Sequence, residues 1–149
     1  MKRRRVDLGA HEYAVRMSKV LPLEDRRRLQ LSYRMAFERM RAGTADGDHA
    51  ATLGTVANIA LVLAERTGNA EVGVQLVQDA QDALMRSAER KQRMQADRYV
   101  LDGPGLQQVA KLLELHDTQL EHHTARQFKN AIEEAARRVR AGDVLEVVP

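Results

Sequence analysis

Between Ala50 and Leu63 the chain reads AATLGTVANIALVL, an apolar run interrupted only by Thr52, Gly54, Thr55 and Asn58. A helix on a protein surface shows one apolar stripe, whereas a helix apolar nearly all round has to be enclosed by other elements. At about fourteen residues the run is too short to span a bilayer, which takes roughly twenty. Small residues at Ala51, Gly54, Ala57 and Ala60 allow neighbouring helices to approach closely. The run therefore predicts a buried central helix, covering about residues 48–67, around which a soluble bundle is built.

What surrounds it should also be helical. Three prolines, no tryptophan and abundant Ala, Leu, Arg, Glu and Gln favour an all-α chain. At 149 residues the chain suits one domain with a core large enough to stand without staples. The absence of cysteine excludes disulfides, thiolate catalysis and cysteine-ligated zinc, and fits a reducing cytoplasm. Lys2 to Arg5 are basic, but Val6 to Val20 is no signal-peptide apolar region. A net charge of +3 permits an acidic partner without demanding one.

Taken in order, residues 1–21 form a poorly defined basic arm, in which HEYAVRMSKVL reads equally as a short helix or an extended strip. Pro22 suits a helix entry, with Glu24 and Asp25 at the positive end. Leu29, Tyr33, Ala36, Phe37 and Met40 then share a face, and Gly43 ends the helix. Asp46 or Asp48 is the expected cap of the central helix. Asn69 should cap the next, whose core face carries Val72, Leu76, Val77, Ala80, Ala83 and Leu84. LDGPG at 101–105 is the strongest punctuation, with Pro104 opening a helix behind Asp102 or Gly103. Leu106, Val109, Leu113, His116 and Leu120 follow on one face. Thr124 to Gln127 has capping-box spacing, predicting a break near His123. Phe128, Ile132, Ala135 and Val139 continue the apolar face to Gly142. The expected fold is an all-α bundle of four to five helices over residues 22–142. The tail, 143–149, either docks or pairs strand-like with Arg5 to Leu8.

The polar cluster ELHDTQLEHH, 114–123, is the one place to look for a metal. Ligands on a helix converge when spaced three or four apart, yet His116 has Leu112 and Leu120 as neighbours at four. The Glu-x-x-His pairs of di-iron bundles are absent. A half-buried, hydrogen-bonded histidine beside an exposed polar turn is the simpler reading. Nucleotide, hydrolase and metalloprotease motifs are missing too, and Glu133 and Glu134 belong to an exposed Glu–Arg surface. The sequence thus points to no enzyme, metal or cofactor.

Binding surfaces remain. Met85, Arg86, Arg90, Lys91, Arg93, Met94, Arg98 and Tyr99 combine Met, Tyr and Arg, a composition favoured at protein interfaces. They form the candidate partner surface, for an acidic protein or a second copy of the chain. Lys2, Arg3, Arg4, Arg5, Arg26, Arg27 and Arg28 are the candidates for phosphate contact. A helix-turn-helix is disfavoured, because its second helix would be the apolar one.

The motifs NIALVLAER at 58–66, LDGPG, and LLELHDTQLEHHTARQ at 112–127 resemble small accessory proteins of proteobacterial phages and plasmids, over about residues 20–142. That resemblance implies a mobile-element setting and carries no activity, so it assigns no residue a role. The expected function is a non-enzymatic protein–protein interaction, an inhibitor of a host defence complex being one such role. A small DNA-binding transcriptional regulator is the alternative.

Overall fold

The computed structural model describes residues 8–68 and 70–142. The first helix, α1, covers Leu8–Met17, where the sequence could not separate helix from strip. Pro22, extended at ψ 146°, leads into α2, Leu23–Ala42. Gly43 closes α2 in the left-handed region at φ 72°, which a glycine adopts without steric cost. Asp46 caps α3, Gly47–Glu65, reciprocally. Its carboxylate accepts the His49 N–H at 3.1 Å, while His49 Nδ1 accepts the Asp46 N–H at 3.1 Å. The fourth helix, α4, runs Ala70–Arg93. Asp102 Oδ1 then accepts the Gly105 N–H at 2.7 Å and starts α5, Gly103–His122, with Pro104 in the first turn. The expected break falls at His123. Thr124 and Gln127 form the capping box that starts α6, Ala125–Ala141.

Six helices are therefore present among the described residues, against the four to five expected. The difference is α1, together with the division of the last helical stretch at His123. Two isolated antiparallel bridges, Val20 with Thr124 and Ala45 with Tyr99, tie linkers together.

The central position of α3 follows from its composition. It packs against α2, α4, α5 and α6. Leu53, Ala57, Ala60, Val62 and Leu63 are sealed at 1% exposure or less. Tyr33, Ala36 and Met40 meet them from α2; Val77, Ala80 and Leu84 from α4; Leu112, Leu113 and Leu120 from α5; Phe128 and Ala131 from α6. Alanines on α3, α4 and α6 hold the helix axes close, so that leucines fill what space is left.

Enclosure is incomplete on one side. Both α2 and α6 pack on α3 but not on one another, and Thr55, between them, is exposed. Ala51, Thr52 and Ile59 are only half-buried. The same gap leaves Leu29 and Ile132, both expected in the core, about half exposed. Val72, another expected core residue, is also exposed, beside an open groove shared with Gln107 and Lys111 of α5.

At the periphery α1 packs, among the described helices, on α6 alone. Lys129 Nζ donates to Tyr13 Oη at 3.2 Å, and the Ala125 N–H donates to the Lys19 carbonyl at 2.8 Å. Lys2 to Arg5, the Asn69 cap and the 143–149 tail with its pairing lie outside the described residues. No described helix is long and apolar enough to cross a membrane.

Candidate functional site

The gap over α3 forms a groove of about 530 Å³. Val56 and Ile59 of α3 line it with Phe128 of α6 and Tyr33 of α2, and Leu29 and Ile132 stand at its edges. Thr52 and Thr55, three residues apart and so neighbours on α3, form a polar strip in it, with Asp48 of α3 and Ser32 of α2 as further polar lining. Thr52 Oγ1 already donates to the Asp48 carbonyl at 2.9 Å.

His116 also lines this groove, although only 4% of it is exposed. Its ring sits edge-on between Tyr33 and Phe128, with centroids 5.6 and 5.8 Å away. Gln119, equally buried on the next turn of α5, determines its tautomer. The Gln119 Nε2 amide donates to the Ala60 carbonyl at 3.0 Å, which leaves Oε1, 2.9 Å from His116 Nδ1, as an acceptor. Nδ1 therefore carries the proton. Burial pushes the His116 pKa down, outweighing the Gln119 bond and the nearby Asp117 charge, so the ring is neutral. Nε2 then holds a lone pair. It has no hydrogen-bond partner among the described residues, and it is not sealed off, because Ser87 Oγ is the one enclosed side-chain polar atom there without a bond.

Beside the groove, Asp117 accepts from the Tyr33 hydroxyl and pairs with Arg34. Burial and the Asp117 bond drive the Tyr33 pKa far above its usual value, so that hydroxyl stays protonated. Asp117 is thus committed to α2 and does not back His116. The other two histidines of the cluster turn inward on their own helix: His122 Nδ1 lies 2.8 Å from the Thr118 carbonyl and His123 Nδ1 3.0 Å from that of Gln119.

Of the sequence-predicted partner residues, all but one are exposed or half-buried. Tyr99 is buried at 5%, a correction with a clear cause. The helix stops at Arg93, Gln95 turns the chain at φ 51°, and the Tyr99 N–H donates to the Ala45 carbonyl at 2.9 Å. Lys91 lies over the Tyr99 ring at 5.1 Å. Arg86 is engaged with Asp102 at 3.3 Å and Gln108 at 3.0 Å, bracing the start of α5. Met85, Arg90, Arg93, Met94 and Arg98 are exposed. Among the phosphate-contact candidates, Arg26 Nε donates to the Leu21 carbonyl at 3.1 Å, Arg28 pairs loosely with Glu24, and Arg27 is exposed.

Two features escaped the sequence reading. One is the groove, whose signal was the Thr52–Thr55 spacing inside an otherwise apolar run. The other is a second apolar stripe on α2, Leu31 and Met35, which are 63% and 52% exposed.

Comparison with known proteins finds no matching family model, no matching curated protein and no matching solved structure.

Proposed function

We propose that the chain is a non-enzymatic interaction protein that grips a protein partner through the outer face of α2. The observation that carries this is the two-sided character of that helix. Tyr33, Ala36 and Met40 face the core, while Leu31 and Met35, one turn apart, stand in solvent. Apolar side chains grouped on a surface and bordered by charge mark interaction sites. The border here carries more basic than acidic groups: Arg27, Arg28 and Arg39 are exposed around the stripe, with Glu38 beside Met35 and Glu24 paired to Arg28. The partner that fits presents an apolar patch edged by carboxylates. A phage or plasmid setting, drawn from the sequence resemblance, and inhibition of a host complex belong to the same proposal.

Affinity capture from a host lysate tests it. Wild-type protein retains one stoichiometric partner, and the double variant Leu31→Asp, Met35→Asp loses it while keeping its helical circular dichroism. Retention by the double variant overturns the reading. Concentration-dependent dimerisation abolished by the same pair of substitutions would place a second copy of the chain on the stripe instead. Arg27 and Arg28 favour the regulator reading. It would prevail if DNA bound with sequence preference near physiological salt, with a steep salt slope that Arg27→Glu, Arg28→Glu reduces.

A further inference from the structure

The groove over α3 is separate from the α2 stripe: Leu29 and Tyr33 border it, whereas Leu31 lies roughly 160° further round the helix at 100° per residue. We propose that this groove is a binding site for a small apolar molecule bearing one hydroxyl or N–H group, an aryl or alkyl alcohol in the simplest case. Its apolar body lies against Val56, Ile59 and Phe128, and its donor is accepted by His116 Nε2.

Three observations converge on this. The volume, about 530 Å³, is within the roughly 300–1,000 Å³ of small-molecule sites, and its apolar walls with few polar groups are the usual make-up of such sites. At the inner wall stands a side chain 96% removed from solvent, judged by its 4% exposure, with one ring nitrogen unpaired among the described residues. That nitrogen is held in place. The Ala60 carbonyl orients Gln119, Gln119 orients the imidazole, and Tyr33 and Phe128 hold the ring edge-on. Each link permits one polarity, and the chain ends in an acceptor. A ligand that offers only acceptors or a cationless hydrocarbon end leaves this lone pair without a bond; one that offers a donor completes it.

His116 Nε2 is a buried acceptor, whereas Ser32, Asp48 and Thr55, which also line the groove, are exposed to water, and Thr52 is half-buried with its hydroxyl donating to the Asp48 carbonyl. The exposed apolar residues of the rim, Leu29 and Ile132, suit the apolar end of a molecule whose polar end points inward.

The test compares 1-naphthol with 1-methoxynaphthalene, which has the same ring system and no donor, on the full chain. In nitrogen-15 NMR titrations, 1-naphthol is expected to saturate, to move the amides of Val56 and Ile59, and to shift His116 Nε2 directly. It should bind about tenfold tighter than the methoxy compound, the factor that one net hydrogen bond to a buried acceptor supplies. In His116→Phe, which keeps a flat ring in place, the two compounds should bind alike. Ile59→Trp, which fills the groove, should abolish both. Absence of saturable binding by either compound overturns the site. Equal binding of the two by wild type, or an unmoved His116 Nε2 signal, overturns the role of His116. The Nε2 reading is made on wild type, so it decides the matter even where a variant fails to fold.

Discussion

His116 takes its properties from three neighbours that no local sequence rule names. The spacing of ELHDTQ placed it on the apolar face of a helix, and a hydrogen-bonded histidine inside the bundle was foreseeable from that. Its partner Gln119 was not, because a glutamine reads as a surface residue until a carbonyl such as that of Ala60 is brought to it. Burial has a consequence for pH. The folded pKa of His116 lies below 6.5, so as pH falls past 6.5 the unfolded chain takes up a proton that the folded chain refuses. Stability is full above that pH and declines below it, by up to about 1.4 kcal/mol per pH unit until the folded ring titrates. Urea midpoints measured from pH 7.5 to 5 should show this limb in wild type and a flatter one in His116→Gln. A second limb belongs to Glu134, whose bonds to Arg137 and Arg138 lower its pKa to about 2. Its contribution is present above 4.5 and fades as pH falls toward 2, and His116→Gln leaves it in place.

Helix ends were the most readable elements. Gly43, Asp46, Asp102 and Thr124 each act through chemistry confined to a few neighbouring residues, so spacing located Gly43 and Thr124 outright and narrowed the other two caps to Asp46 or Asp48 and to Asp102 or Gly103. Helix faces were less readable. Periodicity says which residues share a side and leaves open whether a neighbour covers it, which is why Leu29 and Ile132 were expected inside. The start of α5 offers a sharp comparison. A Cβ on Gly105 would meet Asp102 Oδ1 at 2.7 Å and Ala83 Cβ at 3.3 Å, whereas one on Gly103 meets nothing within 4 Å. Gly105→Ala should therefore displace the capping carboxylate and lower stability by about 1–2 kcal/mol. Gly103→Ala should be neutral or slightly stabilising, through the restricted unfolded chain. Thermal unfolding followed by circular dichroism separates the two.

Across the whole molecule, the apolar run was a sound guide to the centre and a poor guide to completeness. It contained the residues that α4 and α5 cover and also those that α2 and α6 leave open, and apolarity does not distinguish them. Leu63, 1% exposed, belongs to the covered set. Leu63→Ala should lower the unfolding free energy by about 2–5 kcal/mol in a denaturant titration, as expected for a cavity at a sealed site. Ile59→Ala, on the open side, should lose less, because solvent or a groove occupant can enter where the side chain was. A result in the reverse order would show that the gap closes in solution.

The tether that joins Lys19 and Val20 to Thr124 and Ala125 has a consequence for synthesis. By the time α3 leaves the ribosome, only α2 is available to shield it; the helix that covers its opposite flank is the last of the six to be made. A nascent chain can therefore cover α3 with α4 and α5 as they follow, but its α6 flank stays open until the last of these helices is made. It reaches its final form only when Ala125 bonds back to Lys19 and draws the beginning and the end of the bundle together.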